Sequence, residues 1–371
     1  MGKKTIVIPL HLPWNWSADY QKQTCLELAK KHQVIILIHN DAIFWLKALF
    51  TKKKYPKVQN IVFYRPLYLI PLQRIALIKK INDYLSFKLI KIFYGWKKQI
   101  ILWIFDAELN LYLNLLSKNN LSLYDNVDYC WRPNNNIIQK KEKKLIQTVD
   151  FFIVNSHVLY ELNKKIRKAD LIAPQGFRLN DFEKPIFTKT KFPKNKPLIG
   201  YIGGINYRFD FPLLYKLIKN NSQWNFVIWG PTQIDPNIKP IKTQSQINKL
   251  LSLDNVFSGL SKNKKELSSI IKQFDICMIP YNIKYKFNHY CYPMKLFEYF
   301  YMGKPVVSTP IEELKRFPKY VKIEDTAQEW EKQIKQLLTK PWSKKYQQKQ
   351  KKLAINNSWE KKIKIISSLI D

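Results

Sequence analysis

Short apolar runs recur along this chain, separated by polar, lysine-rich stretches with helical spacing. "KTIVIPL" (4–10) reads as a strand, "ADYQKQTCLELAKKH" (18–32) as an amphipathic helix and "QVIILIH" (33–39) as a second, buried strand. "NIVFYRP" (60–66), "QIILWIFD" (99–106), "LSLYDNVD" (121–128) and "VDFFIVNS" (149–156) continue the series. Apolar strands alternating with helical stretches predict a parallel sheet covered on both faces.

Between 183 and 197 the texture changes: "EKPIFTKTKFPKNKP" has three prolines, five lysines and no periodicity. This predicts a domain boundary, with 186–197 as a linker. The alternation then restarts with "LIGYIGG" (198–204), a helix over "DFPLLYKLIKNN" (210–221) and "WNFVIWG" (224–230). Three more strands follow in "NVFSGL" (255–260), "FDICMIPY" (274–281) and "KPVVSTP" (304–310). The expected architecture is two doubly wound α/β domains in tandem, 1–185 and 198–355. A final segment, 356–371, carries the helix "SWEKKIKIISSLID" (358–371), placed to pack back on the first domain. A length of 371 residues suits two domains rather than one core.

Composition narrows the function classes. Cys25, Cys130, Cys277 and Cys291 are scattered, with no CxxC, which argues against a zinc site or disulfide framework and fits a reducing cytoplasm. The first apolar run is too short for a signal peptide, and no stretch approaches the ~20 apolar residues of a membrane span. The net charge of +35 invites a nucleic-acid partner, but only seven of the 63 basic residues are arginine, the planar reader of bases and phosphates. No recognisable nucleic-acid-binding module appears either. The charge is nonetheless clustered: residues 42–105 carry thirteen Lys or Arg against one acid, Asp83, with fourteen aromatics among them. "INDYLSFKLIKIFYGWKK" (81–98) puts Ile81, Tyr84, Leu85, Leu89, Ile92, Phe93 and Trp96 near one helical face. Lys88, Lys91, Lys97 and Lys98 lie beside or beyond that face. The arrangement suits peripheral binding to an anionic membrane surface, and equally a core-facing helix with a wet lysine side.

The chemistry concentrates in "HYCYPMKLFEYFYMGKPVVSTP" (289–310). Pro293 suits a helix start, Met294 to Met302 the helix, and Gly303 its close. Lys295 and Glu298 then share one face, a turn apart, on a helix that is otherwise apolar nearly all round. Charges in apolar surroundings need strong partners. A diphosphate suits the lysine, and the two hydroxyls of a ribose suit the glutamate. A solvated ion pair is the plainer alternative. "GYIGG" ends a strand in Gly203 and Gly204 and runs through Arg208 to Asp210, a candidate N-cap. Glycines there let a ligand approach the backbone, although a plain turn has the same look.

"YPMKLFEYFYMGKPVVST" resembles the donor-binding signature of GT-B glycosyltransferases of the family 4 type. "IGYIGG" resembles the first strand and glycine-rich loop of their donor domain, and "WNFVIWGP" a later strand. "NVFSGLSKNKKELSSIIKQFDICMIPY" resembles the base-binding loop, helix and strand before the signature. "YDNVD", "DFFIVNSHVL" and "LIAPQGF" resemble strand ends of the acceptor domain in the subgroup that makes bacterial surface polysaccharides such as teichuronic acid, capsule or exopolysaccharide. The resemblance implies two Rossmann-like domains facing a central cleft. It implies that Glu298 holds the nucleotide ribose, that Lys295 and the Gly203–Gly204 loop amides hold the diphosphate, and that the helix start at Pro293 and Met294 helps hold the sugar. Two departures stand out. Tyr290 occupies the place of a second glutamate, eight positions before Glu298, and Gly204 stands where a basic residue is usual. Arg208 is the nearest substitute.

No DxD motif occurs in the chain. The leaving diphosphate is therefore expected to be neutralised by Lys295, Arg208 and a helix N-terminus, without metal or other cofactor. The expected activity is hexosyl transfer from a nucleotide sugar to a lipid-linked or glycan acceptor, with retention of anomeric configuration implied by the resemblance. Asp128 is the acceptor-side catalytic candidate, with a turn aspartate as the alternative. Trp14 and Trp16 are candidate sugar-stacking faces in the acceptor cleft, and His157 a helix-start residue. A nucleotide-sugar 2-epimerase, a non-catalytic nucleotide-sugar binder and, more remotely, a nucleic-acid-binding protein stay open.

Overall fold

A computed structural model describes residues 3–10, 14, 19–38, 55–64, 75–95, 99–116, 119–129, 136–235, 238–261 and 263–370. The chain separates into two compact units, one of residues 1–175 with 359–371, the other of residues 176–358.

Among its described residues the first unit holds seven parallel strands: β1 (Thr5–Leu10), β2 (Gln33–Ile38), β3 (Ile61–Tyr64), β4 (Ile100–Ile104), β5 (Leu121–Asn126), β6 (Phe151–Val154) and β7 (Leu171–Ile172). Their spatial order is β3-β2-β1-β4-β5-β6-β7. β1, β4 and nearly all of β2 are buried on both faces, which is why they read as unbroken apolar runs rather than alternating ones. The helix Asp19–Leu28 follows β1, and the last helix, Trp359–Ile370, completes this unit.

One helix of the first unit is turned inside out. Ala76–Ile90 buries Asn82, Asp83 and Ser86 beside Phe87 and Ile90, while Leu77 is 66% exposed. It begins earlier than the 81–98 pattern predicts and gives way to a π-helical turn at Lys91–Gly95, on which Phe93 is 71% exposed. Ile81, Tyr84 and Ile92 are exposed as well, and Leu85 and Leu89 are half-buried. Trp96, Lys97, Lys98 and much of the basic stretch 42–105 lie outside the described residues.

The second unit holds β8 (Leu198–Ile202), β9 (Asn225–Trp229), β10 (Val256–Gly259), β11 (Ile276–Ile279), β12 (Val306–Ser308) and β13 (Val321–Ile323), all parallel, in the order β10-β9-β8-β11-β12-β13. Asp210 caps the helix Phe211–Lys219 as its sequence predicts, accepting the Leu213 amide at 3.1 Å. The division between units falls at Gln175–Gly176 rather than in the lysine- and proline-rich stretch. That stretch belongs to the second core: Phe192 meets Trp229 edge-on with centroids 5.7 Å apart, and Gln273 accepts its amide at 3.2 Å.

Candidate functional site

Where the strand order of a parallel sheet reverses, the loops leaving the two central strands diverge and open a crevice. In the second unit the reversal lies between β8 and β11. Gly203 and Gly204 follow β8, and Pro280 and Tyr281 follow β11.

Gly203 has φ +128°, a conformation that favours glycine. Its amide donates to the Trp229 carbonyl at 2.9 Å, so it is spent inside the protein and does not offer itself to a phosphate. What the glycine provides is room. A Cβ there would lie 3.0 Å from the Tyr201 hydroxyl and 3.2 Å from Lys295 Cε. Gly204 faces elsewhere, toward Gln233 and Asn206.

The helix that carries the charges spans Lys295–Tyr301. Its backbone starts with the Pro293 carbonyl accepting Leu296 and the Met294 carbonyl accepting Phe297, both at 3.1 Å. It ends in a paired turn: Lys304 donates to the Tyr299 carbonyl at 3.1 Å and Gly303, at φ +65°, to Phe300 at 3.0 Å. Leu296, Phe297, Tyr299 and Phe300 are buried, while Lys295 and Glu298 form a half-buried stripe one turn long. Lys304, the lysine of the Gly-Lys-Pro run, points away from this stripe. Its Nζ donates to the carbonyls of Lys272 and Phe274 and so closes the end of the helix Leu267–Lys272.

Two of the predicted residues, Lys295 and Arg208, converge on Tyr281. Lys295 Nζ donates to the Tyr281 hydroxyl and lies 4.8 Å from its ring centre and 5.0 Å from that of Tyr201. The Arg208 guanidinium lies 4.4 Å from the Tyr281 ring and 4.7 Å from Phe287. Asn288, fully buried, accepts Arg208 Nε at 2.7 Å and donates to the Arg208 carbonyl at 3.1 Å. Burial alone would raise the Tyr281 phenol, but the Lys295 and Arg208 charges outweigh it and hold the phenol below its ordinary range. Sequence reasoning passed over Tyr281. Its signal was its place, the first aromatic beyond a buried strand at a reversal of strand order. Tyr290, in the position of the absent glutamate, packs against the His289 ring at 4.7 Å.

The acceptor-side expectations fare differently. Asp128 is exposed, in the turn after β5. Trp14 is 1% exposed and packs edge-on against Phe63 at 5.2 Å, so it is a core residue rather than a stacking face for a sugar. Trp16 lies outside the described residues. His157 opens a helix behind Ser156, whose hydroxyl accepts the Leu159 amide at 3.1 Å. Three residues before Asp128 stands the carboxylate that sequence reasoning missed. Asp125 is fully buried, accepts the Tyr20 hydroxyl at 2.9 Å and Trp103 Nε1 at 3.3 Å, and feels the charge of Lys362. Lys362, on the last helix, donates to the carbonyls of Ala173 at 2.7 Å and Pro174 at 3.2 Å. Burial pulls its ammonium down to about 8, against the pull of Asp125.

Comparison with known proteins places these units. Residues 182–357 match the family described as glycosyl transferases group 1. Over 196 residues the chain is 26% identical to TuaH of Bacillus subtilis (strain 168), whose name assigns it to teichuronic acid biosynthesis as a glycosyltransferase. That match covers 49% of this chain and 46% of the relative, so the aligned part spans about half of its length. Among solved structures, a sucrose-phosphate synthase from Thermosynechococcus elongatus superposes with a TM-score of 0.77 at 14% identity, covering 99% of this chain and 98% of the other. Anabaena Alr3699/HepE, in a structure with UDP-glucose, gives 0.68 at 10% identity over 99% of both chains. The fold is GT-B, as the resemblance implies.

Proposed function

We propose, from the match of residues 182–357 to group 1 of the glycosyl transferases, that this chain moves a sugar from a nucleotide-sugar donor to a glycan or lipid-linked acceptor in cell-surface polysaccharide synthesis. The observation that carries the reading is the meeting of Lys295 and Arg208 on Tyr281, with Gly203 directly beside Lys295, at the β8/β11 reversal. Two side-chain cations beside a glycine turn suit a diphosphate. The relative named for teichuronic acid synthesis and the fold shared with a UDP-glucose-bound protein support the substrate class.

In this reading Glu298, a turn beyond Lys295, receives the ribose hydroxyls. The bond from the anomeric carbon to the diphosphate oxygen breaks, and a bond from that carbon to an acceptor hydroxyl forms. The departing diphosphate, neutralised by Lys295 and Arg208, takes the hydroxyl proton, and configuration is retained. Fixed cations then stabilise the leaving group without a metal.

The inverted helix supports a peripheral place on the inner face of the plasma membrane. No helix of the described residues is long and apolar enough to cross a membrane. Leu77, Ile81, Tyr84, Ile92 and Phe93 are nevertheless turned outward, with Lys80 and Lys88 exposed among them. Apolar side chains with lysines suit an anionic lipid surface.

A melting-temperature screen of the wild-type chain and Glu298→Ala against UDP, GDP, ADP and their sugars tests the donor site. One nucleotide should raise the melting temperature of the wild type and fail to do so in the variant. No shift with any of them would overturn the proposal. Product analysis with labelled donor then separates transfer from epimerisation.

A further inference from the structure

We propose that Tyr281 is a positioning residue of the donor site, holding Lys295 and Arg208 together in the free protein and releasing Lys295 to the diphosphate when a nucleotide binds. The inference rests on the donor-site reading above and adds a residue that the sequence signature does not contain.

Two cations brought to one crevice repel each other, the more so where water is partly excluded. Tyr281 touches both: its hydroxyl accepts from Lys295, and its ring lies against the ammonium and the guanidinium. An aromatic face attracts a cation through its quadrupole, so one ring holds both charges whichever protonation state its hydroxyl is in. The backbone that carries the ring is well anchored. The Tyr281 carbonyl accepts the buried Thr309 hydroxyl at 2.7 Å, and Tyr281 pairs with Phe209 in an antiparallel bridge. Arg208 is anchored too, through Asn288 on its side chain and its carbonyl. Lys295 is the partner with reach, a flexible stem whose Nζ is held by a hydroxyl oxygen where a phosphate oxygen would serve better.

The exchange carries a proton signature. The titratable and charged groups facing the Tyr281 phenol are Lys295, Arg208, Tyr201, Tyr299 and Cys291. Burial pushes the Tyr201 and Tyr299 phenols well above their usual range, so they stay protonated where Tyr281 titrates. The cations favour the Tyr281 phenolate in the free protein. Once the diphosphate claims Lys295, that support weakens and the phenol regains its proton. A group whose pKa rises on binding takes up a proton, so affinity falls as pH rises through its free-state value.

The test is calorimetric titration of the full chain, wild type and Tyr281→Phe, at pH 7.5, 8.5 and 9.5, with whichever of UDP, GDP and ADP the melting screen selects. Wild-type affinity should weaken by up to about tenfold for each pH unit above the free-state pKa, and the variant should bind with a flatter dependence. An absorbance titration locates the phenolate step of the free wild type, and adding the nucleotide just above that step should bleach it, a readout that stands even if the variant does not fold. Equal pH slopes in the two proteins, or no bleaching, would overturn the role of Tyr281 while leaving the donor site intact. Binding of none of the three nucleotides would remove the donor site and this inference with it.

Discussion

The backbone of Gly230 lies directly against that of Gly203: a Cβ on Gly230 would sit 2.1 Å from the Gly203 carbonyl oxygen. Gly230 itself has φ +150°. The turn after β9 is thus the floor on which the turn after β8 rests, and the position of Gly203 beside Lys295 depends on it.

Gly230→Ala should therefore cost about 3 kcal/mol, because backbone must move and the left-handed conformation is strained. Gly204→Ala should cost less than about 1 kcal/mol, since its Cβ would press on the far end of the Gln233 side chain and reach Asn206 Nδ2 at ordinary contact distance. Urea denaturation of the two variants measures this, and the first should also lose nucleotide-dependent stabilisation. Equal costs would refute the account.

Lys362→Met should destabilise the protein by about 3 kcal/mol, because it leaves Asp125 buried without its cation. Adding Asp125→Leu should restore most of the loss, as apolar replacements of a buried pair often do. A double-mutant cycle in urea decides between this and simple additivity, which would mean that the two charges do not interact.

Burial pushes the Asp83 carboxyl up to about 6, with Lys79 pulling the other way. A folded-state pKa above the unfolded one gives stability that is present at low pH and is lost as pH rises through about 6. Asp83→Asn should then stabilise the protein at pH 7.5 by on the order of 1 kcal/mol and lose that advantage near pH 4. A difference that stays the same at both pH values would show that the effect is not the charge.

Flotation with vesicles containing phosphatidylglycerol should carry the wild-type chain, and more salt should release it. Leu77→Glu and Phe93→Glu should each weaken binding by about tenfold or more, given the apolar area each side chain would bury. Equal flotation of wild type and variants, or equal binding to neutral vesicles, would argue for a partner other than anionic lipid.

Much of this fold could be read from the chain because β1, β2, β4, β8, β9 and β11 are apolar along nearly their whole length. β13 could not: it has three residues, two of them half-buried, and no turn signal of its own. The 183–197 segment misleads because prolines and lysines dominate it, while one of its two aromatics, Phe192, anchors it in the core and the other, Phe187, is exposed. Lys295, Glu298 and Gly203 were legible through a local motif. The Asp125–Lys362 pair was not, since one residue lies in a strand and the other on the last helix, and neither segment alone shows a reason for burying a charge.

The last helix has a consequence for synthesis. Residues 176–358 form one uninterrupted unit, whereas the first unit is closed by residues 359–371. A ribosome making this chain has joined every residue of the second unit before it makes the helix that seats Lys362 beside Asp125. Domains commonly fold in the order in which they emerge. Here the order of completion is reversed: the unit that is started first lacks one of its own helices until the whole of the second unit has been made.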